Sequence, residues 1–345
     1  MSTGMFPSSA PYRPRITAIG SYTPERRLTN AELERLVETN DEWIVQRTGI
    51  RERRICAPEE STGTLAIRAV QNLVDRYHAV LEDVDLLIVA TSTPDFAFPA
   101  TACLVQAHFG IPHTLAYDLS AACAGFVHGL HTASGMIASG LHRKALVIGA
   151  DALSKITDYT DRTTCILFGD AAGAVLLERD PAPGAESSLL AYTAGTDGRG
   201  GPHLYRAVTA VSWTDGEPVP AGGKLMQNGR EVYRFAVQTV PRASAELLEA
   251  AGLSAEDVDW FIPHSANLRI IESACEKLGI PLEKTLHTIE DYGNTSAATI
   301  PLALDEAVRA GLLKEGDKLL LFGFGGGLVY GGLLLKWKEL QALPQ

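Results

Sequence analysis

The segment EDVDLLI at residues 82–88 returns as EDVDWFI at residues 256–262. A second pair, KALVIG at residues 144–149 and KLLLFG at residues 318–323, is separated along the chain by the same offset. The first pair is an acidic turn that leads into an apolar strand, and the second is an apolar strand that ends in glycine. Because both pairs share one offset, we predict a duplication of two related α/β halves.

The predicted halves are an N-terminal half over residues 1–185 and a C-terminal half over residues 186–345. They meet in the turn-forming sequence RDPAPGAESS. DLLIVAT, KALVIGA and AGAVLLE are predicted to be buried strands, and residues 62–77, 124–139, 231–251, 268–278 and 300–310 to be helices. Alternating strands and helices predict mainly parallel sheets layered between helices. The glycine-rich stretch 195–230 is predicted to form a long loop or cap.

Composition is typical of a soluble globular protein, with 345 residues, 46% hydrophobic and 21% charged. The net charge of -11 argues against nucleic acid or an anionic membrane as a partner. No apolar run approaches the roughly 20 residues of a membrane span, and no signal-peptide core is present, so we expect a cytoplasmic protein. The five cysteines contain no CxxC pair, which argues against a disulfide framework and a structural zinc site.

Cys123 is the candidate nucleophile. It lies in DLSAACAGF, after a strand-like stretch and at the start of a helix rich in small residues. The positive end of the helix dipole favours a thiolate there, and the small neighbours leave room for a bulky thioester. A buried structural cysteine is the alternative interpretation. The cysteines that lack such a setting are Cys56, Cys103, Cys165 and Cys275.

Two further loops carry candidate polar groups. His264 follows a predicted strand that ends at Pro263, which places it at the sheet edge where open α/β folds collect their sites. Asn294 lies in YGNTSAATIP, and the offset of the repeat carries Cys123 onto position 297 in this loop. The loop is therefore the counterpart of the nucleophile loop, and the two are expected to converge on one pocket. The alternatives are a helix-capping histidine and an N-cap asparagine.

A glycine run, Gly325 to Gly327, follows a predicted strand near the C-terminus. Glycines in such a position let backbone N–H groups approach a ligand closely. A donor from this run could complete an oxyanion hole together with the N–H of Cys123. A simple turn is the alternative interpretation.

Taken in order, these segments resemble one family, the β-ketoacyl-acyl-carrier-protein synthases III, within the thiolase-like fold. The resemblance runs from about residue 15 to residue 337. Asn294 stands where elongating ketosynthases have a second histidine. The motifs that carry the resemblance are DEWIVQRTGIRER (41–53), AFPATA (97–102), AACAGF (121–126), TDRTTCILFGDAAGA (160–174), HSANLRI (264–270), YGNTSAA (292–298) and FGGG (324–327).

The resemblance implies a decarboxylating Claisen condensation that initiates fatty acid biosynthesis. Cys123 would accept the acyl group of an acyl-CoA primer, and His264 and Asn294 would hydrogen-bond the thioester carbonyl of malonyl-acyl carrier protein. Decarboxylation leaves an enolate that preorganised donors stabilise, and this carbanion attacks the acyl-Cys123 thioester. The N–H groups of Cys123 and Gly326 would form the oxyanion hole. No metal is implied, and coenzyme A enters only as the substrate thioester.

The resemblance also implies binding positions for coenzyme A. Trp43 and Arg162 would sandwich the adenine, and Arg47 would meet phosphate. The residues along the pantetheine arm would be Thr39, Gly229 and Asn267. An exposed helix surface with salt bridges is the alternative for Trp43 and Arg47.

The resemblance further implies protein partners. Arg234, Arg269 and Lys277 match positions that bind acyl carrier protein, and their charge suits an acidic carrier. A solvated helix face is the alternative for these three side chains. Phe98 matches the residue that reaches into the acyl pocket of a partner subunit, which implies a homodimer.

Two features depart from the family pattern and leave the primer's length and branching open. Ser265 stands where glutamine is more usual, and the loop 197–225 is longer than in compact members.

The alternative functions are a related condensing enzyme of secondary metabolism, a cysteine hydrolase with the same Cys-His-Asn order, and a non-catalytic CoA-binding protein. A thiolase is disfavoured because it would need a second cysteine near the C-terminal glycine run, and no cysteine follows Cys275. A 3-hydroxy-3-methylglutaryl-CoA synthase would need an acidic base near the nucleophile, for which the sequence offers no candidate.

Overall fold

The computed structural model describes residues 2–7, 10–180 and 187–340. The strands are β1 (Ser2–Met5), β2 (Pro14–Tyr22), β3 (Arg27–Thr29), β4 (Glu52–Arg54), β5 (Leu86–Ala90), β6 (Leu115–Leu119), β7 (Lys144–Ala152), β8 (Asp170–Arg179), β9 (Leu189–Thr196), β10 (Leu204–Arg206), β11 (Val211–Ser212), β12 (Pro218–Val219), β13 (Leu225–Gln227), β14 (Trp260–Pro263), β15 (Lys318–Gly325) and β16 (Val329–Lys336).

The helices are α1 (Asn30–Leu33), α2 (Asp41–Thr48), α3 (Thr62–Tyr77), α4 (Thr101–Phe109), α5 (Gly125–Ala138), α6 (Gly229–Ala250), α7 (Leu268–Leu278), α8 (Ile289–Tyr292) and α9 (Thr299–Arg309). Short 3-10 turns cover Ala122–Ala124, Leu153–Lys155, Gly198–His203, Ala255–Asp257, Leu282–Lys284 and Ser296–Ala298. The described part of the chain contains no helix with the length and apolar character needed to cross a membrane.

Two five-stranded sheets form the centre of the fold, in the orders β2-β8-β7-β5-β6 and β1-β9-β16-β15-β14. In the first sheet β5 and β7 are parallel, with Leu86 opposite Ala145. In the second sheet β14 and β15 are parallel, with Trp260 opposite Leu319. The offset that relates the repeated segments carries the first pair of residues onto the second, so the duplication extends to the pairing register. The predicted boundary between the halves, at residues 185 and 186, lies outside the described residues.

The repeated EDVD motif has a structural role in both halves. Asp85 accepts a hydrogen bond from the backbone N–H of Lys144 at 3.1 Å, and Asp259 accepts one from Lys318 at 2.8 Å. Each carboxylate thus satisfies an N–H group at the first residue of the neighbouring strand. Because burial of an unpaired N–H group is costly, the same acidic residue is needed before both strand pairs.

The sheets are mixed, and the prediction of mainly parallel sheets is wrong in this respect. The parallel pairs are β5 with β6, β5 with β7, and β14 with β15. The antiparallel pairs are β2 with β8, β7 with β8, β1 with β9, β9 with β16, and β15 with β16. Only residues 326–328 join β15 to β16. Such a short connection cannot hold the crossover that a parallel pair requires.

The predicted helices are confirmed, two of them with the predicted bounds and three within about two residues. Helix α3 begins after Ser61, whose hydroxyl accepts a hydrogen bond from the N–H of Thr64. Its buried face contains Leu65, Val70 and Leu73 at helical spacing. The stretch predicted as a long loop or cap is more ordered than expected, because it holds two small antiparallel sheets, β10 with β13 and β11 with β12.

Helices α5 and α9 lie between the two sheets and contact strands of both. Glycines allow the turns that precede them to approach the other half. A β-carbon at Gly149 would lie 2.2 Å from the carbonyl oxygen of Ala297, and one at Gly323 would lie 2.8 Å from the Cα of Ala124. The central strand of each half therefore packs against the helix-opening turn of the other, which brings the two turns together.

Candidate active site

A cavity of about 580 Å³ lies where the two helix-opening turns meet. Its lining includes Cys123 from the first turn, Asn294 from the loop before the second, and His264 from the end of β14. The glycines that follow β15, including Gly326, also line it. The structure thus brings all four predicted chemical segments to one cavity.

Cys123 lies in the turn Ala122–Ala124, directly before α5. Ala122 has a φ of 45°, in the left-handed region that residues with a β-carbon rarely adopt. Its counterpart in the duplicated half, Ser296, has a φ of 53° and opens the equivalent turn. Strained residues of this kind persist where the surrounding structure fixes them, and they are frequent at functional sites. A β-carbon at Gly325 would lie 2.8 Å from the Cys123 nitrogen, so glycine is needed opposite the nucleophile.

The thiol of Cys123 is protonated at neutral pH, contrary to the expectation of a thiolate. Burial is the main cause that raises its pKa to about 12, and the nearby Asp151 carboxylate acts in the same direction. Desolvation disfavours the charged form of any enclosed thiol, and at Cys123 it outweighs the helix dipole. The residue nevertheless keeps accessible surface towards the cavity.

His264 follows the last residue of β14, and its ring is 1% exposed. The Nδ1 atom lies 3.2 Å from Thr299 Oγ1, and the ring packs edge-on against Phe324 with 5.2 Å between centroids. Burial lowers the pKa of His264 to about 3, so the imidazole is neutral at physiological pH. Because Nδ1 is engaged by Thr299, Nε2 is the ring nitrogen left for a ligand in the cavity.

Asn294 is 7% exposed, and its backbone is held on both sides. Its N–H donates to Leu167 O at 2.9 Å, and its carbonyl accepts from Gly169 N at 3.0 Å. The side-chain Oδ1 accepts from the Ser296 N–H at 2.9 Å. The residue therefore caps the second turn, as its alternative interpretation proposed, and also faces the cavity. With Oδ1 occupied, the Nδ2 group remains as a donor.

The carboxylate of Asp151, at the end of β7, is a buried group that the sequence analysis missed. Its side chain is fully buried. It accepts hydrogen bonds from Ser92 N at 2.7 Å, Thr93 Oγ1 at 3.0 Å and Ala297 N at 3.2 Å. The charge of this carboxylate is near enough to Cys123 to raise the pKa of the thiol. The expectation that no acidic residue lies near the nucleophile is therefore wrong.

Arg53 is a second missed residue, and its side chain is 0% exposed. Its guanidinium donates to Leu28 O at 3.2 Å, Asn30 Oδ1 at 2.8 Å and Ile166 O at 2.6 Å. A β-carbon at Gly293 would lie 3.3 Å from the Arg53 Cβ. Arg53 thus supports the segments on either side of Asn294. Arg53 is the last residue of the motif DEWIVQRTGIRER, and this position was the one sequence feature that could have pointed to it.

The predicted adenine-binding residues lie together on one surface. The Arg162 guanidinium carbon is 5.4 Å from the centre of the Trp43 ring, and that of Arg47 is 5.9 Å away. Arg162 also donates to Glu38 O at 3.0 Å. These three predicted side chains do not line the cavity itself. Since Arg162 lies directly over Trp43, an adenine ring could enter between them only if they separate.

The predicted pantetheine residues are divided between the cavity and its surroundings. Gly229 and Asn267 line the cavity. Asn267 also joins two helices, because its Nδ2 donates to Arg47 O at 3.0 Å and its Oδ1 accepts from Arg269 N at 2.9 Å. The Thr39 hydroxyl is buried and has no hydrogen-bond partner among the described residues. A ligand atom could satisfy it.

The predicted carrier-binding residues are all exposed on α6 and α7. Arg234 pairs with Glu231 at 3.0 Å, the Arg269 guanidinium lies 5.5 Å from the centre of the Tyr233 ring, and Lys277 donates to Val237 O at 2.8 Å. Tyr233 itself lines the cavity. The basic side chains therefore lie on the helix pair that forms one wall of the cavity.

Phe98 and Ser265 have contrasting positions. Phe98 is 87% exposed, with Phe96 nearby at 55%. Ser265 is buried, accepts a hydrogen bond from Thr288 N at 3.3 Å, and does not line the cavity. The longer loop, in contrast, supplies Leu204 and other residues to the cavity wall. Of the two departures from the family pattern, only the loop alters the cavity directly.

Two family models match the chain. The model described as 3-oxoacyl-[acyl-carrier-protein (ACP)] synthase III matches residues 117–198, and the model of its C-terminal part matches residues 248–337. These ranges include Cys123 in the first case and His264 and Asn294 in the second. Each model thus covers one of the two turns that form the cavity.

Similar proteins with a synthase III name align with this chain over nearly their full length. Beta-ketoacyl-[acyl-carrier-protein] synthase III 2 of Bacillus subtilis is 59% identical over 324 residues, covering 94% of this chain and 98% of that protein. The protein of the same name from Halalkalibacterium halodurans is 58% identical over 323 residues, covering 94% and 96%. The crystal structure of a synthase III from Thermus thermophilus superposes with a TM-score of 0.89 at 48% identity, covering 94% and 99%.

The duplicated sheets, the central helix pair and the cysteine at their junction define a condensing acyltransferase of the thiolase-like fold. Within that class, the chain belongs to the β-ketoacyl-acyl-carrier-protein synthase III family.

Proposed function

We propose that this protein joins the acyl group of an acyl-CoA primer to malonyl-acyl carrier protein through an acyl-Cys123 intermediate. The observation that carries the proposal is the shared cavity lined by Cys123, His264 and Asn294. In the first half-reaction the Cys123 sulfur attacks the acyl-CoA carbonyl and coenzyme A leaves. In the second, the malonyl thioester loses carbon dioxide, and the resulting carbanion attacks the acyl-Cys123 thioester.

His264 and Asn294 act as neutral hydrogen-bond donors to the malonyl thioester oxygen. The Thr295 hydroxyl lies 3.2 Å from that of Thr299, which in turn contacts His264 Nδ1. If this chain of hydroxyls donates towards Nδ1, Nε2 carries the ring proton and points it at the cavity. Asn294 supplies its Nδ2 hydrogens because Oδ1 is occupied by Ser296. Two preorganised donors stabilise the enolate oxygen as its charge develops.

The same contacts disfavour a cysteine hydrolase of the papain type. In that mechanism an asparagine orients the histidine, which removes the thiol proton. Here Thr299 orients His264, while Asn294 is bonded to Ser296. The pKa of His264, lowered to about 3 by burial, also makes the ring a poor base. The constellation therefore fits donation to an enolate better than deprotonation of the thiol.

The substrates approach over two surfaces. The adenine of coenzyme A binds by Trp43 and Arg162, and the basic side chains on α6 and α7 receive the acidic carrier. Asn267 links the two surfaces, since it caps α7 and holds the backbone of Arg47. A protein that draws on both substrates is expected in the cytoplasm.

The protein acts as a homodimer in this proposal. Phe98 is exposed and apolar, and β6 is the edge strand of the first sheet. Within the described residues, an exposed apolar side chain and the open edge of a sheet are each a favourable surface for a second copy. Insertion of the partner subunit's Phe98 into this cavity would then contribute to primer selection.

The test is an acylation assay on Cys123→Ala. We expect no uptake of radiolabelled acyl groups from acyl-CoA, with circular dichroism and dimer content like those of the unmodified protein. Cys103→Ala, which alters a cysteine outside the cavity lining, is the matched control and should be labelled normally. Labelling of Cys123→Ala at the normal level would disprove the nucleophile assignment. A panel of acyl-CoA primers, with mass spectrometry of the product, then identifies the primer.

A further inference from the structure

A second pocket, separate from the active-site cavity, lies beside the turn Leu153–Lys155. We call it the rear pocket, and its volume of about 360 Å³ is within the range of small-molecule sites. Ser154 and Lys155 line the rear pocket, whereas Leu153 and Ile156 line the active-site cavity. One short turn therefore separates the two spaces, and no described residue lines both.

Buried contacts hold the walls of the rear pocket in place. Cys56 and Ser154, which both line it, come from distant parts of the chain. Their backbone N–H groups donate to the carboxylate of Asp170, Cys56 at 2.7 Å and Ser154 at 2.8 Å. Asp170 is itself fully buried. Because a buried carboxylate joins the two segments, the pocket is part of the folded architecture and is formed before any ligand arrives.

The walls of the rear pocket are mostly apolar and include Leu28, Leu36 and Ile55. Leu36 is 56% exposed, so a large apolar side chain borders open space at this pocket. Covering such surface with apolar ligand atoms is favourable, because it removes the surface from water. An aliphatic chain is therefore the kind of group that these walls accommodate.

Three polar side chains that line the rear pocket supply two positive charges and a hydroxyl. The guanidinium of Arg26 is exposed and makes no hydrogen bond or salt bridge with the described residues. Lys155 Nζ donates to Ala57 O at 3.0 Å and Pro58 O at 3.2 Å, which leaves one of its three hydrogens for a ligand. The Tyr159 hydroxyl is enclosed, and it too has no partner in the described part of the chain. Since enclosed hydroxyl groups ordinarily have a hydrogen-bond partner, a ligand acceptor could satisfy it.

The charges around the rear pocket favour an anion. Its described lining residues include no carboxylate side chain. Glu25, Glu59 and Glu60 line a neighbouring pocket, and Arg26 is the one described residue that the two pockets share. The two oxygens of a carboxylate match the paired N–H groups of a guanidinium, which favours this anion at Arg26.

We propose that the rear pocket binds an aliphatic carboxylate, with its chain against the apolar walls and its head group on Arg26 and Lys155. The Tyr159 hydroxyl donates to one of the carboxylate oxygens. This site lies outside the active-site cavity, and its occupation requires no acyl group on Cys123. The inference therefore goes beyond the proposed function and does not depend on it.

Isothermal titration calorimetry of the full chain with octanoate tests the site at pH 7. Octanoate should bind Cys123→Ala as tightly as it binds the unmodified protein. It should bind Arg26→Gln at least about tenfold more weakly, as expected when a hydrogen bond to a charged group is lost. Acetate, which lacks the chain, and octan-1-ol, which lacks the charge, should each bind the unmodified protein at least about tenfold more weakly than octanoate does.

Arg27→Gln is the matched control, because Arg27 is also exposed but pairs with Glu52 at 3.1 Å and does not line the rear pocket. This variant should bind octanoate normally. An octanoate analogue with a photoreactive diazirine at the end of its chain should label peptides that contain Leu36 or Ile55.

Two results would overturn the proposal: equal octanoate affinity in Arg26→Gln and Arg27→Gln, or photolabelling confined to peptides that line the active-site cavity. Absence of acylation by acyl-CoA in a protein that still binds octanoate would instead refute the proposed function alone.

Discussion

The Nδ1 atom of His264 lies 3.2 Å from the Oγ1 atom of Thr299, at the first position of α9. The contact connects the histidine at the end of one strand with the helix that the second turn opens. Because one ring nitrogen is engaged inside the protein, the other is directed to the cavity. The orientation of the imidazole thus depends on a residue that does not touch substrate.

Thr299→Val should weaken malonyl decarboxylation about tenfold to a hundredfold, the usual effect of removing a partner that orients a histidine ligand or donor. The substitution keeps the shape of the side chain but removes the hydroxyl that donates to Nδ1 and so keeps the ring proton on Nε2. Acylation of Cys123 should change little. Thr299→Ser should restore decarboxylation, and its failure to do so would indicate a packing role instead. Decarboxylation is measured as the release of labelled carbon dioxide. Acylation is measured as the labelling of the protein.

Asn294→Asp separates the two contacts of the Asn294 side chain. An aspartate can still accept the Ser296 N–H bond, seen at 2.9 Å, but it cannot donate to the malonyl thioester. We expect decarboxylation to fall by about a hundredfold or more, as when an oxyanion donor is lost. His264→Ala should lose decarboxylation in the same way while both variants remain acylated. Decarboxylation at the unmodified rate in either variant would contradict its role.

The neutral state of His264 makes folding stability dependent on pH. Its pKa falls from 6.5 to about 3 on folding, so below pH 6.5 the unfolded chain binds a proton that the folded chain does not. The free energy of unfolding therefore decreases as the pH falls, by about 2 kcal/mol between pH 7.5 and pH 5. Urea unfolding at these two pH values measures this change. In His264→Gln, the decrease in the free energy of unfolding should be smaller than in the unmodified protein by about 2 kcal/mol. An equal decrease in the two proteins would contradict the lowered pKa of His264.

Much of the architecture was predictable because the duplicated segments preserve burial as well as sequence. Residues 86 and 260 could be aligned from their flanking aspartates, and both begin strands of the same register. The family motifs likewise identified Cys123, His264 and Asn294, which the structure brings to one cavity. The antiparallel pairing of β16 was not predicted, since an apolar strand pattern alone does not specify the direction of the neighbouring strand.

The protonation states and supporting contacts could not be read from the sequence. The position of Cys123 at a helix start predicted a thiolate, whereas burial in the folded protein raises the pKa of the thiol to about 12. Asp151 and Arg53 are charged residues of a kind that is seldom fully buried, so local sequence gave no reason to place them beside the site. Their roles depend on long-range partners such as Ala297 and Ile166.

Arg53→Lys should lower the free energy of unfolding by about 3 kcal/mol, because a lysine cannot satisfy the separated acceptors of the guanidinium. The affected contacts are those with Leu28 O, Asn30 Oδ1 and Ile166 O. Arg51→Lys, at an exposed position nearby, should change the free energy by less than about 0.5 kcal/mol. Chemical denaturation of both variants gives the comparison, and similar values for the two would show that the buried network contributes little.

Trp43→Ala should raise the KM for acyl-CoA more than the KM for malonyl-acyl carrier protein. The indole ring lies 5.4 Å from the Arg162 guanidinium, and the two groups can both stack on an adenine once they separate to admit it. Loss of the ring removes stacking that is made equally in the ground state and the transition state, so kcat should change little. Trp43→Phe, which retains an aromatic face, should show an intermediate KM. Equal effects on both substrates would mean that Trp43 supports α2 and does not contact the nucleotide. Helix α2 is linked to Arg53 because Asp41 accepts a hydrogen bond from Asn30, which itself accepts one from Arg53.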